Sequence, residues 1–536
     1  MLQSNSSPQT SNFVDSIRLA TLVNTQNFLN LLEQCIWEYN LDLGHELHHF
    51  VVRNGLESDP FFASHLVRMF QSLNLSSKTD QVFLKLEKPG IFAWAAIIFA
   101  YVKFGQIDQV LELYKRMQSS GLEPDGPVLV AVLKACALSE AATEGRQIHA
   151  CAIEYGLESD AFVNSSLINL YTKCGFLLQA HMTFDKTGKQ NLVAWNALIS
   201  GYVQHGYEQH AFELFYEMKN DGMEPDEITF LSIVKACIDD MFSLDRGEYI
   251  HLCILERGFD SDASISHALI DMYAKCGNFE AALVLLQKGQ QRDVIAWTAL
   301  ICGYAKHRLI FEVMKTFQYM QEDGVEPNQV TFISVINACS SVAAFEQGKK
   351  VHAHVIKSGY EADLSLGSAL VDMYAKCGSL LDARGVFNRL LIKNSITWNA
   401  LIGGYVERGH GHEVLQLFQE MQQQGVKPDE VTFACAVRAC SNLEQCNRVH
   451  SLITNSLELD VSVGNTLIDM YAKCGSLEDS KSIFVRLPEK DVVTWSTFIA
   501  GLVQHDCGEE ALSHFEKMQQ EGIEPNHVTF LCILKA

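Results

Sequence analysis

Apolar residues recur along this chain at the spacing of an amphipathic helix, and the same pattern returns at a short period. After residue 192, apolar side chains fall at i, i+3, i+4 and i+7, on one helix face: Trp195, Leu198, Ile199 and Tyr202. A second set follows at the same spacing: Ala211, Leu214, Phe215 and Met218. The pattern therefore predicts two helices in succession, each with one apolar face.

Glycine and proline separate these helices. Gly206 and Gly222 follow the two apolar faces, where a glycine can adopt the left-handed conformation that ends a helix. Pro225 blocks further helix, and Asp226 is suited to cap the next one. Each unit is therefore predicted to be a helical hairpin. A lone hairpin cannot bury its apolar faces but stacked neighbours can, so the prediction is an all-α solenoid.

The units come in three alternating lengths. Residues 192–226, 227–262 and 263–293 give 35, 36 and 31 residues, and similar stretches recur before and after them. We predict about fifteen such repeats over residues 25–526, followed by the start of a truncated long repeat at 527–536. Residues 1–24 are rich in Ser, Asn and Gln, with one Arg and one Asp. They are predicted to be either an organellar targeting segment or a disordered start.

Composition and charge restrict the partners. The chain is 48% hydrophobic and 20% charged, and no apolar run reaches the roughly 18 residues of a membrane span, so no membrane partner is expected. The net charge of −23 argues against a nucleic acid, because affinity for phosphates comes from Lys and Arg. Net charge is a sum over the molecule, however, and an acidic surface is compatible with a neutral or basic groove.

Cysteines recur at single positions of the repeat. One set lies in K-C-G steps and another follows alanine in the long units: Cys174, Cys276, Cys377 and Cys474; Cys136, Cys237, Cys339 and Cys440. Such positions predict small buried packing residues in a reducing compartment. No C-x-x-C step occurs, so zinc-site spacing is absent. We predict no metal and no cofactor.

The amino-acid sequences of the repeats resemble those of a known family. WNALISGYVQHG, GKKVHAHVIKSGYEAD and SALVDMYAKCGSLLDARGVFNRL are similar to the standard, long and short repeats of plant-type pentatricopeptide repeat proteins of the PLS subclass. The resemblance runs from about residue 25 to the end of the chain. It implies a right-handed α-solenoid superhelix that binds single-stranded organellar RNA, with one base read per unit by the fifth and last residues. The chain is predicted to lack the C-terminal extension and deaminase domains that such proteins often carry.

That resemblance assigns bases to seven residue pairs. Three resemble the uracil-reading pair: Asn196 with Asp226, Asn399 with Asp429, and Asn465 with Asp491. Four resemble adenine-reading pairs: Thr298 with Asn328, Ser165 with Asn191, Ser368 with Asn394, and Ser496 with Asn526. Long units carry an apolar fifth residue such as Leu231 and are not expected to read a base. From residue 126 the order would be n-A-U-n-n-A-n-A-U-n-U-A, where n is unread.

The alternative for each pair is a solvated helix face with a capping residue in the next loop. Polar and apolar fifth residues alternate by unit type, which a merely solvated face does not require. The thirteenth residue of several units is lysine: Lys103, Lys173, Lys275, Lys306, Lys376 and Lys473. These lysines are predicted either to contact RNA phosphates or to complement the helix dipole, and both roles can hold together.

No catalytic set stands out from the repeat. One H-x-E step, at residues 514–516, lies within the repeat pattern, and no C-x-x-C pair completes a zinc site. We therefore predict a recognition protein and no enzyme, without a small-molecule substrate. Its expected task in a mitochondrion or chloroplast is site selection for C-to-U editing or other RNA processing, with chemistry supplied in trans by a partner enzyme. The alternative is a protein-binding α-solenoid scaffold without RNA.

Overall fold

A computed structural model describes residues 25–86, 88–187, 189, 191–238, 243–288, 292–456 and 461–536. The predicted targeting or disordered segment, residues 1–24, lies outside these residues. All regular structure in the described ranges is helical, which confirms the all-α prediction. The helices are α1 (Thr25–Glu38), α2 (Leu41–Arg53), α3 (Pro60–Ser72), α4 (Ser76–Leu84), α5 (Ile91–Lys103), α6 (Ile107–Ser119), α7 (Gly126–Leu138), α8 (Ala142–Glu154), α9 (Ala161–Lys173), α10 (Leu177–Thr187), α11 (Leu192–Gln204), α12 (Glu208–Asn220), α13 (Glu227–Ala236), α14 (Ser243–Glu256), α15 (Ala263–Lys275), α16 (Phe279–Lys288), α17 (Val294–Lys306), α18 (Ile310–Glu322), α19 (Gln329–Ser341), α20 (Phe345–Lys357), α21 (Leu364–Lys376), α22 (Leu380–Arg389), α23 (Ser395–Glu407), α24 (Gly411–Gln423), α25 (Glu430–Arg438), α26 (Leu443–Ser456), α27 (Val461–Lys473), α28 (Leu477–Arg486), α29 (Val492–Gln504), α30 (Gly508–Gln520) and α31 (His527–Ile533).

Each predicted 31–36-residue stretch contains two of these helices. In the stretch 192–226, helix α11 ends at Gln204 and α12 ends at Asn220. Gly206 and Gly222 follow with φ of 73° and 75°, in the left-handed region that favours glycine. Asp226 caps α13, as its position after Pro225 predicts.

The chain divides into two compact units, Met1–Ala268 and Leu269–Ala536. Within each unit, the first helix of a hairpin packs against the first helix of the next hairpin. The second helix packs between its own first helix and the following one. This stacking buries the apolar faces that a lone hairpin would leave in water.

Tryptophans at the fourth position of standard repeats form the core of the stack. Trp195, Trp398 and Trp495 are almost fully buried. Each ring meets, edge to face, a phenylalanine from the second helix of the preceding short repeat: Phe184 with Trp195 at 4.5 Å, Phe387 with Trp398 at 4.5 Å, and Phe484 with Trp495 at 4.8 Å between centroids. Consecutive hairpins are therefore joined by the same aromatic contact in both compact units.

Histidines recur as packing residues between long and short repeats. His149 Nδ1 lies 2.8 Å from the hydroxyl of Tyr171, and His352 Nδ1 lies 2.9 Å from that of Tyr374. His450 and Tyr471 repeat the contact at 2.9 Å. Burial lowers the pKa of all three histidines, which favours the neutral ring.

The cysteines follow the sequence prediction only in part. All sixteen are free thiols, and the set that follows alanine in the long units is buried. The K-C-G cysteines are half-exposed, because each falls just beyond the last turn of a first helix. Burial raises the pKa of Cys136 and of Cys339 to about 12, so these thiols are protonated at neutral pH.

Candidate nucleic-acid interface

The last residue of most standard repeats, and of several short ones, is fixed as the N-cap of the following helix. The Asp226 carboxylate accepts the Thr229 backbone N–H at 2.9 Å, and the Thr229 hydroxyl contacts the same carboxylate oxygen at 2.9 Å. Asp429 and Thr432 repeat this capping box, and so do Asp491 and Thr494. A local D-x-x-T sequence therefore holds each carboxylate at the boundary between two repeats.

Two of the predicted uracil-reading pairs are in direct contact. Asn196 Nδ2 donates to the two carboxylate oxygens of Asp226 at 2.9 and 3.1 Å. Asn399 Nδ2 lies 2.8 and 2.9 Å from those of Asp429. The threonine of the capping box completes each set, because its hydroxyl lies 2.6 Å from the asparagine Oδ1. The carboxylate fixes the amide orientation, since a flipped amide would place oxygen against oxygen.

The third such pair is looser. Asn465 Nδ2 lies 3.4 Å from Asp491 Oδ1, and Asn465 Oδ1 accepts no hydrogen bond from the described residues. Asn465 belongs to a short repeat, in which Thr494 follows it by 29 positions instead of 33. The Thr494 hydroxyl donates to Asp491 and makes no hydrogen bond with Asn465.

Three predicted adenine-reading pairs are joined through a threonine. Thr298 Oγ1 lies 2.7 Å from Thr331 Oγ1, which lies 2.9 Å from Asn328 Oδ1. Two further sets repeat the chain: Ser368, Thr397 and Asn394; Ser496, Thr529 and Asn526. The fourth pair has no such threonine, and Asn191 Nδ2 donates directly to Ser165 Oγ at 2.8 Å. The structure thus brings together the fifth and last residues of all seven predicted pairs.

Five of the seven fifth residues are buried, whereas a solvated helix face would leave them exposed. Asn196, Ser165, Thr298, Ser368 and Ser496 are only 4–8% exposed, because the cap residue and the next helix cover them. The last residues are more open: Asp226 and Asp429 are half-buried and Asp491 is exposed. In these five pairs the polar edge that faces solvent is therefore made chiefly by the last residue, whereas Asn399 is half-buried like its partner Asp429.

Hydrogen bonds hold two of the cap carboxylates, Asp429 and Asp491, in the ionised form. Burial raises the pKa of Asp429, but hydrogen bonds from the Thr432 backbone, the Asn399 amide and the Thr432 hydroxyl outweigh it, and the net pKa lies below the ordinary value. Asp491 shows the same balance, with hydrogen bonds from Thr494 and Asn465 lowering its pKa. At neutral pH both carboxylates are acceptors only.

The predicted phosphate-contacting lysines do not share one environment. Three are paired with an aspartate one turn earlier on the same helix: Lys275 with Asp271 at 2.7 Å, Lys376 with Asp372 at 2.9 Å, and Lys473 with Asp469 at 2.5 Å. Lys173 donates to Gln204, and Lys103 donates to the Gln71 carbonyl at 3.1 Å. Lys306 has no hydrogen bond or ion pair among the described residues. The lysine row is thus partly neutralised by neighbouring carboxylates.

In the second compact unit these groups line one cavity. The cavity has a volume of about 690 Å³, and its walls include Asn465, Ser496, Asn526 and Lys473. One member of the Asn465 pair, both members of the next pair and a lysine therefore open onto the same space. Two exposed valines, Val493 and Val528, complete that wall.

These valines belong to a row that sequence reasoning missed. The second residue of standard and long repeats is apolar yet 41–77% exposed over much of the array: Phe92, Val193, Ile228, Ile295, Val330, Ile396, Val431, Val493 and Val528. The available signal was an apolar residue outside the helical stripe, two positions before the buried tryptophan in standard repeats. The capping threonines were also missed, although S/T-type boxes are readable from sequence.

Stacked hairpins with a polar pair that recurs at seven repeat boundaries define a tandem helical-repeat protein. A family model described as the PPR repeat family matches residues 190–239, 292–341, 393–442 and 490–536. A PPR repeat model matches 92–122, 266–294, 368–395 and 465–492. Pentatricopeptide repeat-containing protein At2g33680 of Arabidopsis thaliana is 32% identical over 96% of this chain and 72% of its own length. The chain belongs to the pentatricopeptide repeat family.

Two other Arabidopsis thaliana relatives carry organelle names. Pentatricopeptide repeat-containing protein At3g02330, mitochondrial, is 30% identical over 98% of this chain and 60% of its own length. The chloroplastic protein At1g11290 is 31% identical over 91% of this chain and 60% of its own length. The chain thus spans about 60% of the length of these relatives.

One solved structure that the chain matches is that of maize PPR10. A crystal structure of that pentatricopeptide repeat protein matches at 16% identity with a TM-score of 0.46, over 99% of this chain and 93% of PPR10.

In the described residues, no helix is long and apolar enough to cross a membrane. The same residues contain no group of three His, Cys, Asp or Glu placed to hold a metal ion.

Proposed function

We propose that this chain binds single-stranded RNA and reads bases through the paired fifth and last residues of its repeats. The observation that carries this proposal is the contact across the repeat boundary at each of the seven predicted pairs. Asn196 and Asp226 are 30 positions apart, yet they form one hydrogen-bonded group with a partly exposed edge. The same arrangement recurs at Asn399 and Asp429. Preorganised donors and acceptors at a regular spacing suit one base per repeat.

The two kinds of pair offer complementary chemistry. An asparagine beside an ionised aspartate presents one remaining amide proton and carboxylate lone pairs, which match a carbonyl and the N3–H of uracil. A serine or threonine hydroxyl beside an asparagine presents a lone pair and an amide donor. That combination matches the exocyclic amine and N1 of adenine. We propose for the seven pairs the base assignments that the family resemblance implies.

The remaining groups of the interface would bind parts of RNA common to all sequences. The exposed second-position residues, such as Val493 and Val528 beside the cavity, offer apolar contact to the flat faces of bases. Lys306 offers a cation to phosphate, and so do Lys103, Lys173, Lys275, Lys376 and Lys473 where RNA displaces their present partners. Affinity at low salt and base discrimination would thus come from different side chains.

The biological task we propose is recognition of an organellar transcript for C-to-U editing or another processing step, with catalysis by a partner enzyme in trans. Support comes from the three alternating repeat lengths, which resemble those of the PLS subclass, and from relatives named mitochondrial and chloroplastic. A mitochondrial or chloroplast location is part of the same proposal.

Selection from a randomised single-stranded RNA pool tests this function. The full chain would be used at two salt concentrations, with sequencing of bound RNA. We expect A and U to be enriched in the order n-A-U-n-n-A-n-A-U-n-U-A, and affinity to fall as salt rises. The variant Asn196→Ala, Asn399→Ala should lose enrichment at the two corresponding uracils only. Folded protein that retains no RNA would overturn the proposal in favour of a protein-binding scaffold.

A further inference from the structure

Two short repeats carry the same predicted reading pair in different hydrogen-bond states. Ser165 with Asn191 and Ser368 with Asn394 have identical residue types, and both lie in repeats of 31 residues. The third residue of the following repeat differs: it is Ala194 in the first case and Thr397 in the second. Both residues are fully buried at the start of the next helix.

In the repeat that precedes Thr397, the asparagine is oriented by that threonine. Asn394 Oδ1 accepts the Thr397 backbone N–H at 3.0 Å and lies 2.8 Å from the Thr397 hydroxyl. The Thr397 hydroxyl also lies 2.9 Å from Ser368 Oγ. Because the oxygen of the amide faces inward, its Nδ2 faces away, and it donates no hydrogen bond to the described residues. Asn394 is half-buried, so this donor is reachable by a ligand.

In the repeat that precedes Ala194, the side chain of Asn191 turns towards Ser165, the other member of its pair. Asn191 Oδ1 caps the helix one residue earlier, at the Val193 N–H, at 3.0 Å. Asn191 Nδ2 donates to Ser165 Oγ at 2.8 Å and to the Ala161 carbonyl at 3.1 Å. An amide nitrogen carries two protons, and both are used here. This pair therefore has no amide donor left for a base.

The other threonine-linked pairs follow the first pattern. Asn328 and Asn526 each accept the backbone N–H and the hydroxyl of a threonine, Thr331 and Thr529, three residues on. Their Nδ2 atoms donate no hydrogen bond within the described part of the chain. Of the four predicted adenine pairs, the one without a threonine is the one whose amide is turned inward.

We infer that the third residue of the following repeat decides whether the reading asparagine offers its amide donor to a base. A threonine there holds the asparagine oxygen and leaves the donor open, whereas alanine lets the asparagine close onto the fifth residue. Thr397 is thus a positioning residue that acts through Asn394. The inference rests on the proposed RNA-reading function and refines its code from two residues to three.

The unmodified chain already provides a test. RNAs of the predicted order would be varied to A, C, G or U at the base opposite Ser368–Asn394, and separately opposite Ser165–Asn191. We expect the preference for adenine over the other bases to be about 5-fold larger at the first position than at the second, the value of one specific hydrogen bond. Equal preferences at the two positions would overturn the inference.

Exchanging the third residues tests the cause. Thr397→Val keeps the shape but removes the hydroxyl, and it should lower the adenine preference opposite Ser368–Asn394 about 5-fold. Thr397→Ser should restore it. Ala194→Thr should raise the preference opposite Ser165–Asn191 without changing the other positions. A purely structural role of the hydroxyl would instead weaken binding of all four bases equally, and that result would also overturn the inference.

The outcomes separate this inference from the function on which it rests. If no RNA sequence is preferred at any repeat, the reading function itself fails and the inference falls with it. If preferences appear at the asparagine–aspartate repeats but do not respond to Thr397→Val or Ala194→Thr in folded protein, the function stands and the three-residue code is wrong. If Thr397→Val does not fold, the inference is still tested by two other measurements. These are the adenine preferences at the two positions in the unmodified chain and the effect of Ala194→Thr.

Discussion

Asn399 Nδ2 lies 2.8 and 2.9 Å from the two carboxylate oxygens of Asp429, across the boundary between two repeats. The Thr432 hydroxyl lies 2.6 Å from the other end of the same amide. Asparagine, aspartate and threonine thus form a closed group whose orientation is set before any ligand arrives. Preorganisation of this kind reduces the ordering cost of binding.

Recoding this group should switch its base. In the variant Asn399→Thr, Asp429→Asn the retained Thr432 would hold the new asparagine as Thr331 holds Asn328. We expect preference at the corresponding RNA position to move from uracil to adenine, by about 5-fold or more in each direction. Single-position RNA competition measures this change. An unchanged uracil preference in the folded double variant would contradict the reading role of the pair.

The ion pair of Lys473 and Asp469 should set how strongly this part of the cavity attracts phosphate. Lys473→Gln should lower RNA affinity and reduce the slope of log affinity against log salt by about 1, without altering base preference. Asp469→Asn should have the opposite effect on affinity, because it releases the ammonium from its partner at 2.5 Å. Titrations at several salt concentrations distinguish the two. Equal salt slopes in all three proteins would exclude a phosphate contact by Lys473.

Adjacent glycines in helix α23 should respond oppositely to alanine. A Cβ at Gly404 would overlap Ala375 of the preceding repeat, whereas one at Gly403 would meet no atom within 4 Å. Gly404→Ala should therefore destabilise the protein by about 1–3 kcal/mol. Gly403→Ala should be neutral or stabilising by up to about 1 kcal/mol, because alanine favours helix. Denaturant unfolding measures both. Equal effects would show that close helix approach does not limit this position.

Acid should destabilise the stack through its buried histidines. Burial lowers the pKa of His149, His352 and His450 below 6.5, the ordinary value, which they recover on unfolding. As pH falls through and below about 6.5, the unfolded chain binds protons that the folded chain excludes, so stability is lost. The thermal midpoint should be lower at pH 5.5 than at pH 7.5. The triple variant with glutamine at these positions should show a smaller drop, and an equal drop would assign the effect to other groups.

Much of this molecule is determined locally. The 3.6-residue spacing of Trp195, Leu198, Ile199 and Tyr202 predicts helix α11, and Gly206 and Asp226 predict where helices end and begin. These features depend on each segment's own backbone and near neighbours, so a single sequence contains them. The repeat lengths and the fifth and last positions also came from the sequence, through the resemblance of its repeats.

The state of each pair was decided only by the tertiary structure. Ser165–Asn191 and Ser368–Asn394 have the same residue types at the same spacing. Yet Asn191 turns its amide nitrogen towards the serine, whereas Asn394 turns its amide oxygen inward. The exposed row that includes Val193 and Val528 and the pairing of Lys275 with Asp271 likewise depend on what lies beside each side chain in space. A hydrogen-bond donor goes to the best acceptor within about 3 Å, and helix packing between repeats determines which acceptors lie that close.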